Sequence, residues 1–233
     1  MSAPAQAIVL AAGRGERMRP LTDHCPKPLL EVKGKALIGW HLEALRQAGW
    51  TDAVINTAWL GELIEERCGA GSGPLRVRYS HEGRDFGGAL ETAGGILRAL
   101  PLLDEVFWVL GGDVYVPGFR FARAALERFA AGSRRAHLFL VPNPAHNPKG
   151  DFALRADGLA ANQGEPRYTY STIGLYRKSL FAGLAAGNPQ GQKIPLAPLL
   201  RSAMDNGQVS AEIYSGPWTD VGTPQRLAEL NAP

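Results

Sequence analysis

IVLAAGRGERMRPLTDHCPKPL, residues 8–29, decides how this chain is read. Residues 7–10 form a short apolar run of β type, which breaks into small residues with glycines at 13 and 15 and arginines at 14, 17 and 19. Glycine lets the backbone take positive φ and brings its amides close to an anion, while guanidinium groups add charge and forked donors. Lys27 follows between Pro26 and Pro28, a cation whose neighbours have fixed φ. A strand that opens into a phosphate loop predicts an α/β protein with its ligand at the carboxyl ends of the strands.

Outward from that stretch the pattern repeats. Residues 36–48 carry apolar side chains at helical spacing and stop at Gly49, residues 53–55 form a short apolar strand, and 61–68 read as a helix. Residues 75–79 alternate like a third strand. The glycine- and charge-rich segment 82–88 is expected to be a loop. It leads into a helix over 90–100 whose early glycines promise bare amides for an anion or the edge of a base. The apolar strand 106–110 then delivers Asp113 after Gly111 and Gly112, at the edge where open α/β sheets bind ligands. A helix over 121–131 and a strand over 136–141 complete the alternation. From Pro142 onward prolines and glycines interrupt short strand-like pieces at 152–154 and 168–176, which predicts a small antiparallel insertion over the sheet on the acceptor side of a pocket. A helix over 198–204, a strand over 209–214, a loop carrying Asp220 and a last helix over 224–231 close the chain.

Composition narrows the function classes. The chain has 233 residues, 45% hydrophobic and 20% charged, with a net charge of +3 and a pI near 9.0. That length predicts a single domain over residues 1–233. Its arginines are dispersed outside the loop, which argues for small phosphorylated ligands and against nucleic acid. No apolar run reaches membrane-spanning length, no signal peptide is visible, and Cys25 and Cys68 lack metal or disulfide spacing. The expectation is a cytoplasmic protein without membrane or obligate protein partners.

The loop is not a dinucleotide fingerprint: Met18 fills the third glycine position and Pro20 interrupts the helix that should start there. It is not a Walker A loop, because no GK[ST] ends it. The five histidines have no zinc spacing and no serine or cysteine sits in a nucleophile elbow. Asp113 and Asp220, each expected at a sheet edge, are candidates for holding Mg²⁺, a hard cation that takes one or two carboxylates together with phosphate oxygens and water.

LAAGRGERMRPLT followed by PKPL resembles the signature of the sugar-1-phosphate nucleotidyltransferases. The resemblance continues through LETAGG at 90–95, GD at 112–113, GDF at 150–152 and WTDVGT at 218–223, so it covers nearly the whole chain. NTAWLG at 56–61 and KIPLAPLL at 193–200 are most similar to the uridylyltransferase branch that serves peptidoglycan recycling through N-acetylmuramic acid 1-phosphate. The resemblance implies a three-layer Rossmann-like fold of the glycosyltransferase-A kind, with a mixed, mostly parallel sheet and helices on both faces. It implies Mg²⁺-dependent uridylyl transfer from UTP to a sugar 1-phosphate, with Arg17, Lys27 and Asp113 catalytic. Ala11, Ala12, Gly13, Gly15, Glu16, Arg17 and Lys27 would line the nucleotide, as would Glu82, Ala89, Thr92 and Gly111. Asp151, Glu165 and Lys193 would face the acceptor, and Asp113 and Asp220 would hold the metal. Open alternatives are glucose or mannose 1-phosphate with dTTP, UTP or GTP, phosphocholine with CTP, and a non-catalytic nucleotide-sugar sensor.

Overall fold

Alternation along the apolar strands sets the layers. In the computed structural model, which describes residues 5–232, Ile8 and Phe107 face one side of a central sheet while their neighbours Val9 and Trp108 face the other. Both faces are therefore covered, as a βα chain with wholly apolar strands requires.

Strand β1 (Ala5–Leu10) leads through three single 3₁₀ turns into a two-residue hairpin, β2 (Glu31–Val32) and β3 (Lys35–Ala36), and then helix α1 (Leu37–Gln47). Next come β4 (Asp52–Thr57), α2 (Gly61–Cys68), β5 (Gly71–Ser72), β6 (Leu75–His81), a short α3 (Glu82–Phe86) and α4 (Glu91–Ala99). The second half holds β7 (Leu103–Gly111), β8 (Val114–Tyr115), α5 (Arg123–Ala131), β9 (Ala136–Val141), β10 (Phe152–Leu154), β11 (Ala160–Ala161) and β12 (Arg167–Arg177). It ends with α6 (Leu196–Asp205), β13 (Val209–Ile213), β14 (Thr219–Asp220) and α7 (Pro224–Asn231). Among the described residues no helix is long and apolar enough to cross a membrane.

Strands β7, β1, β4 and β6 are neighbours and parallel. The strand expected over residues 168–176 does not form an insertion lying over the sheet. It is β12, eleven residues long, and it enters the sheet itself, antiparallel to β7 on one side and to β9 on the other. Its first residues also carry β10 and β11 as an antiparallel extension. The physical reason is burial: Ile173, Gly174, Leu175 and Tyr176 are apolar on successive positions, a pattern that suits a strand covered on both faces. Segment 82–88 is likewise not all loop, because Glu82–Phe86 winds into a single helical turn.

The last segments return to the first. Met18, Leu30, Val32, Leu37 and Val221 form a small third core beneath the loop. Asn231 bonds the backbone of Lys33 and Glu31, so α7 pins the hairpin that follows the loop.

Candidate active site

The carboxyl ends of β1, β4 and β7 open into a cavity of about 880 Å³. This volume is in the range of small-ligand sites. Leu10 of β1 lies opposite Gly111 of β7, and the Gly112 amide donates to the Leu10 carbonyl at 2.8 Å, so the loop and the Asp113 corner are held side by side.

Within the loop the three arginines divide. Arg14 is consumed by structure: Nη1 donates to the Thr22 carbonyl and Nη2 to Asp23, each at 2.8 Å, and its guanidinium stacks on Trp59 at 3.9 Å. Its bond is the main cause that holds the Asp23 carboxyl below the ordinary carboxylate range. Arg19 pairs with the same aspartate at 2.8 Å. Arg17 is exposed, lines the cavity and has no ion pair among the described residues, so it is the arginine available to a ligand. Gly15 takes φ of 69°, and a Cβ there would press on Thr22 and the Lys27 stem at 3.1 and 3.3 Å. Only glycine both turns left-handed and lets Lys27 pass. Lys27 is 8% exposed, and its Nζ donates to Asp113 Oδ2 at 2.7 Å.

Most of the residues expected from the sequence meet in this one cavity. Ala11, Ala12, Gly13, Gly15, Glu16, Arg17, Lys27, Glu82, Ala89, Thr92, Gly111, Asp113, Asp151 and Lys193 all line it. Glu165 does not: it is exposed in the turn before β12, outside the cavity. Asp220 sits on β14 rather than in a loop, paired with Val114 of β8, and the Val221 amide donates to the Asp113 carbonyl at 2.9 Å. Asp220 on β14 thus lies beside the β7–β8 turn that carries Asp113. The Asp220 carboxylate is engaged by His146 at 2.9 Å and by the Arg226 guanidinium.

Two carboxylates at adjoining positions fit a hard divalent cation. Among the described residues no three His, Cys, Asp or Glu side chains cluster into a cage for a metal.

Several site features escaped sequence reading. Glu82 is fully buried, its Oε1 accepting from Asn56 Nδ2 and its Oε2 from the Leu90 amide at 2.7 Å, while Asn56 Oδ1 accepts from the Ala11 amide at 2.8 Å. Burial pushes its carboxyl above the ordinary glutamate value, against the lowering effect of those two bonds. The start of α4 offers fewer bare amides than its glycines suggest, because those of Ala93 and Gly94 both donate to the Ile194 carbonyl. A Cβ on Gly94 would stand 2.6 Å from the Gln192 carbonyl. Gly94→Ala is therefore expected to push the 192–195 segment away and to destabilise by about 1–3 kcal/mol, measured as a lowered Tm, with a weakened contribution from Lys193. His41, 1% exposed, lies under Gly111 and Val114, and burial pushes its imidazole down to about 4. Arg201 also lines the cavity, stacked on Phe152 at 5.3 Å, and no motif singled it out.

The family described as Nucleotidyl transferase matches residues 6–152. The chain is 48% identical over 236 residues to the N-acetylmuramate alpha-1-phosphate uridylyltransferase of Neisseria meningitidis serogroup B, covering 97% of each chain. It is 35% identical to the protein of the same description from Caulobacter vibrioides, covering 97% of this chain and 98% of that one. Among solved structures it resembles the inositol-1-phosphate CTP transferase of T. maritima with a TM-score of 0.71 at 19% identity, over 98% of this chain and 95% of that one.

Proposed function

Because the chain belongs to the nucleotidyl transferase family, we propose that it transfers the uridylyl group of UTP to a sugar 1-phosphate, N-acetylmuramate 1-phosphate, and releases pyrophosphate. The observation that carries this reading is the division of one cavity. Arg17, Lys27 and Asp113 stand at the strand ends, while Asp151, Lys193 and Arg201 line the part built by β10, α6 and the segment before it.

An acceptor phosphate oxygen attacks the α-phosphorus, the bond to the β-phosphate oxygen breaks, and the electron pair leaves with pyrophosphate. The attacking oxygen is an anion at neutral pH, so no side chain has to remove a proton from it. The work is in-line positioning and charge stabilisation. Arg17 and Lys27 supply the cations for the triphosphate. Lys27 is held on Asp113 in the free protein, so its ammonium is already placed without a search over rotamers. Mg²⁺, when bound by Asp113 and Asp220, adds neutralisation of the phosphate charge.

The acceptor part supports a carboxylated, partly apolar sugar. Phe152, Tyr170, Leu196 and Leu200 give it an apolar wall, and Arg201 places a guanidinium at that wall. A muramate carries an acetamido methyl and a lactyl carboxylate, which match those two features. Arg201→Ala is expected to raise the acceptor KM about tenfold or more with the KM for UTP unchanged, since a hydrogen-bonded charged group contributes about 1.5–3 kcal/mol.

The test is pyrophosphate release from a panel of UTP, dTTP, GTP and CTP against N-acetylmuramate, glucose and mannose 1-phosphates and phosphocholine. Release with UTP and N-acetylmuramate 1-phosphate above all other pairs is expected. A different preferred pair overturns the substrate assignment, and tight UTP binding with no release under any pair makes the protein a sensor.

A further inference from the structure

Thr172 lies in β12 where the register against β9 shifts, between Tyr170 and Gly174. Its φ is 63°, the left-handed region, which a β-branched side chain adopts only under constraint. The constraint is visible on both neighbours. Ser171 Oγ donates to the Phe139 carbonyl at 2.6 Å and accepts from the Ile173 amide, and Trp218 Nε1 donates to the Ser171 carbonyl at 3.0 Å. The hydroxyl of Thr172 is buried and has no hydrogen-bond partner, a second unfavourable feature at the same residue. Glycine at 172 would remove both. Threonine is thus held here at two costs that glycine would not carry, and a residue with two costs on a cavity wall points to a ligand.

Its surroundings say which ligand. Thr172 lines the cavity, and its side chain fills the notch over Gly111, where an added Cβ would overlap Thr172 Oγ1 and stand 3.1 Å from Asp113 Oδ1. The hydroxyl and the Asp113 carboxylate therefore flank Gly111 at the same edge of the cavity. Two residues earlier on the same strand, the Tyr170 amide donates to Asp151 Oδ2 at 2.8 Å, which places Thr172 between the Asp113 corner and the acceptor-side carboxylate. The group that must come to this edge of the cavity is the phosphate of the acceptor, because its oxygen has to reach the α-phosphorus beside Asp113.

We propose that Thr172 is a specificity-determining residue whose hydroxyl donates to a phosphate oxygen of the sugar 1-phosphate. This deepens the proposed uridylyl transfer and rests on it. In the free protein the proton has no acceptor, and a turn about the Cα–Cβ bond brings the hydroxyl to the cavity that the residue lines. A donor that is unpaired in the free protein breaks no competing hydrogen bond when it turns to an anion.

Three variants of the full chain test this: Thr172→Val removes the donor at constant shape, Thr172→Ser keeps it, and Thr172→Gly relieves the backbone. Acceptor and UTP KM values would be measured by pyrophosphate release. Affinity for N-acetylmuramate 1-phosphate alone would be measured by calorimetry, with Tm alongside. Thr172→Val is expected to raise the acceptor KM and Kd about tenfold while the UTP KM stays within about twofold, the loss of one charge-assisted bond. Thr172→Ser restores most of that affinity, and Thr172→Gly raises Tm yet binds acceptor as poorly as the valine variant. Wild-type acceptor affinity in both the valine and glycine variants overturns the proposal and leaves Thr172 a strained wall residue. If the valine variant does not fold, the glycine and serine variants decide it by the same comparison. A wild-type protein that binds the sugar phosphate but releases no pyrophosphate counts against the reaction and not against Thr172, since the calorimetric comparison still reads the hydroxyl.

Discussion

Asp113→Ala and Lys27→Ala are each expected to lower kcat/KM about 10²–10³-fold, the size of effect seen when one preorganised charge contact to a transition state is removed. The two losses will not multiply. Lys27 Nζ and Asp113 Oδ2 are 2.7 Å apart, so each single change also strips the other residue of its partner. Residues that act as a unit give strongly non-additive kinetics. The double variant is therefore expected within about tenfold of either single one. Stability adds a second reading: Lys27 is 8% exposed, and deleting Asp113 leaves a nearly buried ammonium without its counter-ion, whereas deleting Lys27 leaves a carboxylate with half its side chain in water. Asp113→Ala should lower Tm more than Lys27→Ala does. Full magnesium-dependent activity in Asp113→Ala would remove this carboxylate from the proposed metal site.

The largest loss of stability is expected at Glu82. The Ala11 amide, Asn56, Glu82 and the Leu90 amide form a buried chain in which every donor direction is determined. Asn56 cannot turn over, because its carbonyl is taken by Ala11. Glu82→Ala would leave the Asn56 amide and the Leu90 N–H without their acceptor, each about 1–3 kcal/mol, together with the lost packing under the loop. Glu82→Gln keeps the shape yet sets an NH₂ against one of two donors, so it should recover only part of the loss. Thermal or denaturant unfolding of the three proteins checks the order wild type, glutamine, alanine. The pH profile carries a sign. Burial holds the Glu82 carboxyl above its unfolded value, so the folded state keeps the proton longer. Wild-type stability should fall, relative to Glu82→Gln, as pH rises from the ordinary glutamate value through the raised one, and the difference should be constant above it. A parallel profile in both proteins would contradict the buried, raised carboxyl.

Much of this was legible along the chain, and the reason lies in which interactions are local. Helix α2, strand β9 and helix α7 fall on the residues expected because their periodicity and their stop signals lie within one short window. The phosphate loop was readable for the same reason, since glycines, cations and the proline-flanked lysine are close in sequence. What the loop did not reveal is that Arg14 belongs to Trp59 and Asp23 while Arg17 stands free, which depends on a tryptophan 45 residues away from the first of them. Position 82 looked like the start of a charged loop, and only the approach of Asn56 from the neighbouring strand buries its carboxylate. Strand β12 is legible as a strand along the chain but its place in the sheet is not, because pairing partners are set by tertiary register and not by alternation.

The antiparallel entry of β12 also orders events during synthesis. Strands β1, β4, β6 and β7 can pair once residue 111 has been made, yet β7 keeps one edge open until residues 173–177 follow it, more than sixty residues later. An unpaired apolar edge is the surface on which nascent chains mispair. At about 5–20 residues per second that edge waits several seconds on the ribosome, so the nascent chain is most vulnerable to aggregation while the segment that will contribute Asp151 and Thr172 is still being made.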